Sequence, residues 1–311
     1  MQLFRSTENL PPEFRRCALS IGNFDGVHNG HAQLVARIVH HAKRVGGKSL
    51  IFTFDPHPAS LLRPELAPVP LTWTERKAEL LSRLGIDGMV AYPTDERLLS
   101  LSPTAFFDEI IIKALGAAAV VEGPNFCFGK DRTGNVQLME ELCKSNGVEF
   151  EVATPVKVDD DNEFVSSSRI RQELSHGNLG AANDMLTRPH RVRGTVGHGA
   201  GRGATIGFPT ANLTSVDTLL PAEGVYAGRS KIGDKEFAAA INIGPSPTFG
   251  DANKRIEVHL IGFNGSLYGE LLKVDFLNRL RSIHSFEGPA ALVNQLNMDI
   301  TAAKEAYRQI R

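Results

Sequence analysis

A glycine-rich stretch with two histidines three residues apart, His28 and His31, occupies residues 22–31 (GNFDGVHNGH). On a helix, side chains three residues apart share one face. A helix N-terminus presents backbone N–H groups and the positive end of the helix dipole, and glycines let a ligand approach the backbone. The stretch is therefore a candidate phosphate site, in which two imidazoles would stabilise charge that develops on phosphorus.

Two other interpretations of this stretch remain open. In the first, Asp25 caps a helix and both histidines lie half exposed on its first turn, which is the common fate of a bare His-x-x-His pair. In the second, the histidines bind zinc, although the sequence offers no nearby cysteine and no clear third ligand. The surrounding glycines and the strand–turn–helix context favour phosphate.

A second glycine-rich stretch spans residues 194–212 and contains six glycines. Such a loop can fold around an anion through its backbone N–H groups. No Gly-Lys-Ser/Thr follows, so it is not a Walker loop. Glycine content alone favours a flexible surface hairpin.

Oxygen-bearing side chains follow in this half of the chain. Thr210 and Asn212 lie two residues apart, so they face the same way in an extended chain. Their neutral oxygens suit Mg²⁺ when substrate phosphates supply the remaining ligands. Glu257 by itself resembles an outward-facing carboxylate on a strand.

The loop at residues 123–135 carries two aromatic side chains, Phe126 and Phe128, together with glycines, a lysine and an arginine. Aromatic faces stack on planar heterocycles, and the cations suit phosphates. A surface loop whose two phenylalanines pack inward as core explains the same residues equally well.

The first part of the chain alternates strands with helices. We expect strands at residues 17–21, 48–54, 88–92, 118–121 and 148–153, and helices at residues 32–45, 74–84, 103–115 and 134–145. Thr74 and Ser102 are the expected N-caps of two helices. The alternation predicts a parallel, doubly wound sheet, whose ligands bind beyond the carboxyl ends of the strands. The candidate residues follow those ends, at 22–31, 55–58, 122–135 and 165–171.

After Pro189 the pattern changes to short β-type stretches at residues 190–196, 224–230, 237–243, 256–261 and 271–276, separated by glycine and proline. They predict an antiparallel barrel or sandwich. A last helix at residues 288–310 has apolar positions at helical spacing, Leu292, Leu296, Ile300 and Ala303, and should pack on the barrel. We therefore expect domains at residues 1–186 and 187–311.

Length and composition fit two ordinary globular domains. The chain has 311 residues, of which 42% are hydrophobic and 22% charged, and a formal net charge of −1. This balance gives no electrostatic case for nucleic acid. The three cysteines form no C-x-x-C pair, and no apolar run approaches 18 residues. We expect a cytoplasmic protein that binds neither nucleic acid nor membrane; weak self-association stays open.

Four motifs in the first domain match a known family in order. Residues 22–31, TFDPHP at 53–58, NF-x-FG at 125–129 and SSRIR at 167–171 resemble those of the prokaryotic bifunctional riboflavin kinase/FAD synthetase (FMN adenylyltransferase) family. The resemblance implies a Rossmann-like nucleotidylyltransferase domain that transfers AMP from ATP to FMN, giving FAD and pyrophosphate. It implies that His28 and His31 are catalytic. It also implies ATP or phosphate contacts from Gly22, Phe24, Gly30, Ser167, Ser168 and Arg169, and flavin contacts from Asn125, Phe126 and Phe128.

The second domain resembles the riboflavin kinase of the same family. The matches are the glycine-rich stretch with its Pro-Thr-Ala-Asn at 209–212, and the segments at 224–227, 242–244, 247–249 and 257–260. The resemblance implies that Thr210 and Asn212 bind Mg²⁺ with ATP, and that Glu257 takes the proton of the riboflavin 5′-hydroxyl as it attacks the γ-phosphorus. It further implies ATP contacts from Gly194, Gly201, Arg202, Gly203 and Gly207, and a flavin contact from Arg281.

One segment departs from the family pattern. After Leu280-Arg281 the family usually carries an acidic residue and then Phe, whereas residues 282–286 read SIHSF and lack the acid. The family's flavin contacts lie in this region. The resemblance as a whole predicts a two-activity enzyme with riboflavin, FMN and ATP as substrates. Two alternatives stay open: an FAD synthetase with a weak or lost kinase, and a flavin-binding protein without turnover.

Overall fold

The computed structural model describes residues 1–8, 10–158, 163–199, 201–245 and 254–310. The chain divides into two compact units. The first unit comprises Met1–Pro68 and Thr72–Ser166, and the second comprises Val69–Leu71 and Ser167–Arg311.

A six-stranded, fully parallel sheet forms the centre of the first unit, in the order β1-β4-β3-β2-β5-β6. This confirms the predicted doubly wound sheet, and β1 adds an edge strand near the N-terminus. The strands are β1 (Gln2–Phe4), β2 (Ala18–Ile21), β3 (Ser49–Asp55), β4 (Gly88–Pro93), β5 (Ala119–Glu122) and β6 (Glu149–Val152). A two-stranded hairpin of β7 (Lys157–Val158) and β8 (Glu163–Phe164) comes next in the chain.

Helices connect these strands. They are α1 (Asn29–Val45), α2 (Ala59–Leu62), α3 (Thr74–Arg83), α4 (Glu96–Ser100), α5 (Pro103–Phe106) and α6 (Val136–Ser145). The helix that α5 begins continues in π form over Phe107–Ala114, and short 3-10 turns lie at Pro12–Phe14, Pro64–Leu66 and Lys130–Arg132.

One of the two predicted helix caps is confirmed and the other is wrong. Ser102 Oγ accepts the Ala105 N–H at 3.2 Å, as an N-cap side chain should. Thr74 is already the first residue of α3, and Trp73 occupies the N-cap position. The Thr74 hydroxyl instead donates to Asp55 Oδ2 at 2.9 Å, so it serves the end of β3 rather than its own helix.

The four inner strands of the sheet, β4, β3, β2 and β5, are buried on both faces over most of their length. Alternate residues of a strand point to opposite faces of a sheet, and Leu19 belongs to one apolar cluster whereas its neighbour Ala18 belongs to the other. In β3, Leu50 and Ile51 divide in the same way. Two cores therefore sandwich the sheet, which explains why its strands are apolar runs.

An ionic cluster holds edge strand β6 against helix α1. His41 is buried, with Nδ1 3.2 Å from Glu149 Oε2 and Nε2 2.6 Å from Glu151 Oε2. Hydrogen bonds from the Arg37 guanidinium hold the pKa of the Glu151 carboxyl down at about 2. Glu149, which bonds Arg44, also has a lowered pKa.

A closed, six-stranded antiparallel barrel forms the second unit, in the order β10-β13-β12-β11-β14-β9. This confirms the predicted barrel, with β10 as a strand that the pattern did not indicate. The strands are β9 (His190–Gly197), β10 (Ala211–Thr214), β11 (Gly224–Ile232), β12 (Lys235–Pro245), β13 (Lys254–Leu260) and β14 (Leu271–Arg281).

The described residues of this unit also form the helices α7 (Ser167–His176), α8 (Leu179–Met185), the one-turn α9 (Arg202–Thr205) and α10 (Pro289–Gln309). Helix α10 buries Ala303 and Ala306 against Ala227 of β11, as expected for the last helix. Asn183 of α8 donates to the Phe276 carbonyl and accepts the His190 N–H, which ties α8 to the barrel. No helix of the described residues is long and apolar enough to cross a membrane.

Candidate active sites

The loop between β2 and α1 is held by buried side chains. Phe24 and Val27 are buried although their φ angles are 47° and 40°, a left-handed conformation that costs on the order of 1–3 kcal/mol for such residues. Asp25 Oδ1 accepts both the backbone N–H and the hydroxyl of Thr72, at 3.0 and 3.2 Å. Asp25 therefore anchors the loop, and its interpretation as a helix cap is wrong.

The two histidines cap helix α1 together. His28 is the N-cap residue, and its Nδ1 accepts the His31 N–H at 3.3 Å while His31 Nδ1 accepts the His28 N–H at 3.4 Å. Their rings stack with centroids 3.7 Å apart. Because both Nδ1 atoms accept, each ring carries its proton on Nε2. The pair lies at the N-terminus of α1, a position that suits phosphate oxygens.

Two glycines shape the space around this pair. A Cβ on Gly30 would lie 3.1 Å from His28 Cε1 and 3.2 Å from His28 Nδ1. Glycine at position 30 therefore leaves room for the His28 ring in its observed position. A Cβ on Gly22 would meet only the Phe24 ring at 3.4 Å, an ordinary contact. The fold itself therefore does not require glycine at position 22, which is consistent with close approach of a ligand.

The predicted meeting of motifs at the carboxyl edge of the sheet is confirmed for β2 and β3. Asn23 Nδ2 lies 2.8 Å from His57 Nε2, and the Thr53 hydroxyl donates to the Asn23 carbonyl at 3.2 Å. Lys77 in turn donates to Thr53 Oγ1 at 3.3 Å, and burial lowers the pKa of its ammonium. The TFDPHP motif thus positions the glycine-rich loop.

Sequence reasoning did not single out Glu122 at the end of β5. Strands β2 and β5 pair only through Ala18 and Leu19, and beyond them the Ile21 N–H donates to Glu122 Oε1 at 2.6 Å. The carboxyl group thereby closes the gap where the strands part. Burial raises the pKa of Glu122 well above its ordinary value, against the hydrogen bond from Ile21. Its signal in the sequence was an acid that ends an apolar run.

The aromatic loop divides between core and surface. Phe128 is 5% exposed and belongs to the core, with its ring 6.1 Å from that of Phe106. Phe126 is partly buried and stacks on Phe128 at 5.5 Å, and Asn125 is exposed. Of the two phenylalanines, Phe128 therefore packs inward as core, which was one of the two interpretations left open by the sequence. Its ring packs against that of Phe126.

Ser167, Ser168 and Arg169 form the first turn of α7, which groups with the second unit. Arg169 Nε donates to Glu173 Oε1 at 2.8 Å, one helical turn on. Their place beside the histidine pair stays a prediction.

In the barrel, residues that sequence reasoning selected separately line one cavity of about 410 Å³. They are Gly201, Gly203, Thr210, Asn212, Glu257 and Arg281. Gly194 lies in β9, where a Cβ would be 2.8 Å from the Thr214 carbonyl oxygen, so packing requires that glycine. Gly207 has a φ of 88°, and neither it nor Gly194 is among the cavity-lining residues. The Arg202 side chain and the segment at 247–249 lie outside the described residues.

The polar end of this cavity is built by neighbouring strands. Glu257 of β13 lies opposite Asn212 of β10 and Asn242 of β12. A Cβ on Gly199 would lie 2.1 Å from Asn212 Nδ2, so the loop backbone passes directly over that side chain. Neutral oxygens of Thr210 and Asn212 within a glycine-walled pocket fit the hard-ligand preference of Mg²⁺.

The other end of the cavity is formed by helix α10 and the segment after β14. Asp299 is buried and binds the Arg281 guanidinium through three contacts of 2.8 to 3.2 Å. The sequence assigned the apolar residues of α10 to barrel packing, but three of them line the cavity: Leu292, Leu296 and Ile300. The sequence analysis did not predict that these three residues line a cavity, and it did not name Asp299. His284 and Phe286 of the divergent segment lie here too.

Comparison with known proteins covers both units. An FAD synthetase family model matches residues 10–169, and a riboflavin kinase family model matches residues 186–307. The bifunctional riboflavin kinase/FMN adenylyltransferase of Pseudomonas fluorescens is 36% identical over 98% of this chain and 97% of its own. The protein of that name from Escherichia coli K12 is 31% identical over 99% and 98%.

The chain belongs to the bifunctional riboflavin kinase/FMN adenylyltransferase family. It is an enzyme of flavin cofactor biosynthesis that carries an FAD synthetase domain followed by a riboflavin kinase domain. The first family model covers the loop with His28 and His31 (the histidine loop, residues 22–31), and the second covers the barrel cavity and most of helix α10. The alternatives of a lost kinase or a protein without turnover are not favoured.

A solved structure extends the likeness to the whole fold. A crystal structure titled a macrolide-efflux protein from Streptococcus pneumoniae superposes with a TM-score of 0.84. It is 29% identical and covers 97% of this chain and 98% of its own. The two proteins share the arrangement of a parallel sheet followed by a barrel.

Proposed function

We propose that the two activities of this enzyme use separate sites, the histidine loop for adenylyl transfer and the barrel cavity for phosphorylation, with a domain boundary between residues 186 and 187. The cavity carries this proposal most directly. Residues that are distant in sequence line this one cavity. Side-chain oxygens and a carboxylate at one end suit the phosphates and the reacting hydroxyl, and apolar side chains and an arginine at the other end suit the flavin.

In adenylyl transfer, an FMN phosphate oxygen attacks the α-phosphorus of ATP and pyrophosphate leaves, so no nucleophilic side chain is needed. His28 and His31 donate their Nε2–H groups to phosphate oxygens and stabilise the charge that develops there. Asn125 and Phe126 hold the flavin, with Phe128 supporting the Phe126 ring. Further ATP or phosphate contacts come from Gly22, Phe24, Gly30, Ser167, Ser168 and Arg169.

In the kinase site, Glu257 accepts the proton of the riboflavin 5′-hydroxyl as its oxygen attacks the γ-phosphorus of ATP. Thr210 and Asn212 would hold Mg²⁺, which when bound neutralises phosphate charge. Arg281, fixed by Asp299, contacts the flavin. Phosphate contacts come from the glycine-rich stretch through Gly201, Gly203 and Arg202. The family resemblance adds Gly194 and Gly207, which are not among the residues that line the cavity.

We also propose that the enzyme works in the cytoplasm on small molecules alone. The formal net charge of −1 supports this proposal, because such a chain has no general electrostatic attraction for nucleic acid.

Replacing both His28 and His31 by alanine tests the separation of the sites. FAD formation from FMN should fall by at least about 100-fold, since such groups typically contribute that much, and FMN formation from riboflavin should stay near normal. His40→Ala is the matched control, because His40 is exposed on the same helix. Comparable losses of both activities in a folded double variant would show that the sites are not independent.

A further inference from the structure

Arg255 of β13 lines the kinase cavity, although neither the phosphate contacts nor the proton transfer proposed for that cavity involves it. It lies two residues before Glu257 on the same strand, so both side chains point to the same face. Its guanidinium is partly buried and lies beside Asn212, the proposed Mg²⁺ ligand, and Glu257, the proposed general base.

The contacts of this guanidinium are specific. Arg255 Nε and Nη2 lie 3.1 and 2.8 Å from Asn212 Oδ1, and Nη2 is also 3.0 Å from Glu257 Oε1. Arg255 therefore bridges the proposed Mg²⁺ ligand and the proposed base. If Glu257 takes the proton of the attacking hydroxyl and Asn212 holds Mg²⁺ with ATP, the transferring phosphoryl group lies between them, next to the Arg255 guanidinium.

The partners that Arg255 has here are not compatible with a cation held by Asn212. The two N–H bonds from Arg255 use both lone pairs of Asn212 Oδ1, so an Asn212 that held Mg²⁺ would have to give up at least one of them. A guanidinium is permanently charged and carries five N–H donors in a planar fork that matches phosphate oxygens. Once released from Asn212, it has a better acceptor in the terminal phosphate than in a neutral amide.

We propose that Arg255 is a further catalytic residue of the kinase reaction. When ATP binds, its guanidinium releases Asn212, binds the γ-phosphoryl oxygens and keeps its contact with Glu257. This inference rests on the proposed function of the cavity. The bond from the riboflavin oxygen to the γ-phosphorus forms as the bond from that phosphorus to the β,γ-bridging oxygen breaks. The hydroxyl proton goes to Glu257 and ADP leaves. Arg255 keeps all its protons and stabilises the charge on the transferring group.

Arg255→Gln and Arg255→Lys test this inference by kinetics. The glutamine variant should lower kinase kcat by about 100-fold or more, as expected for an arginine on a transferring phosphoryl group, with the riboflavin KM within about threefold. The lysine variant should recover part of the loss, because it keeps the charge but not the fork. Arg193→Gln is the matched control, since Arg193 pairs with Asp217 on the same barrel and does not line the cavity.

Binding provides a readout besides turnover. Titration calorimetry with Mg²⁺ should show that Arg255→Gln weakens AMP-PNP about tenfold or more but changes ADP less than threefold, because only AMP-PNP has the terminal phosphate. Equal effects on both nucleotides, or a kcat that is unchanged or higher in Arg255→Gln, would overturn the inference. Wild-type FMN formation separates this failure from failure of the proposed function, and FAD formation by the same preparations reports folding of the chain.

Discussion

Glu257→Gln is the sharpest single test of the kinase mechanism. The amide is isosteric, and its carbonyl oxygen can still accept from Arg255 Nη2, which lies 3.0 Å from Glu257 Oε1. The register with Asn212 and Asn242 is set by backbone pairing and is not affected. The substitution removes the negative charge that faces Arg255 and, with it, the ability to take a proton.

The expected loss is that of a general base. A positioned general base contributes about 10²–10⁴-fold, so kcat for FMN formation should fall by that factor, equivalent to about 2.7–5.4 kcal/mol in activation free energy. The riboflavin KM should change little, because the apolar side of the cavity on α10 is untouched.

The assay separates flavins by chromatography after incubation with riboflavin, ATP and Mg²⁺. FAD formation from added FMN by the same preparation is the internal control. Glu236→Gln is the matched variant, since Glu236 of β12 pairs with Arg229 of β11 and is not a cavity-lining residue. A Glu257→Gln rate within about threefold of the wild type would refute a general base at this position.

Three further predictions concern the first unit. Gly30→Ala should lower FAD formation about tenfold without affecting FMN formation, because its Cβ would lie 3.1 Å from the His28 ring and displace it; an unchanged rate would argue against a placed imidazole. Glu122→Ala should lower the free energy of unfolding by about 1–3 kcal/mol by leaving the Ile21 N–H unpaired, whereas Glu122→Gln should cost less than about 1 kcal/mol; urea unfolding that ranks them otherwise would contradict the closure of the strand gap. The pKa of Glu151 is lowered from 4.5 to about 2 in the folded state, so its stabilising contribution is present above pH 4.5 and is lost as the pH falls toward 2. The unfolding midpoint of Glu151→Gln should therefore decline less over this pH range than that of the wild type. An identical decline in both proteins would contradict this stabilisation.

Much of the fold was predictable because its signals are local. The strands of the sheet are apolar runs since helices cover both faces, and the barrel strands are short and bounded by glycine and proline. Where prediction failed, tertiary contacts decided. Thr74 looked like a cap but bonds Asp55, and β10 is too short to show a period.

The sites were predictable to a different degree. The histidine pair and the Thr210–Asn212–Glu257 set could be selected as candidates because each lies in a distinctive motif, and their roles stay predictions. Asp25 misled, since its partner Thr72 is distant in sequence. Helix α10 could not be assigned to the cavity from its pattern, because packing and ligand-facing apolar residues have the same helical spacing. Arg255 carries no motif signal, and only its contacts with Asn212 and Glu257 point to a role.

The most direct test of two activities on one chain is a time course of flavins formed by the purified protein from riboflavin, ATP and Mg²⁺. We predict that FMN appears first and that FAD is then formed from it. FAD from added FMN with no conversion of riboflavin would contradict the kinase assignment of the barrel cavity and direct attention to the divergent segment at 282–286. Absence of both products from a folded preparation would contradict both assignments.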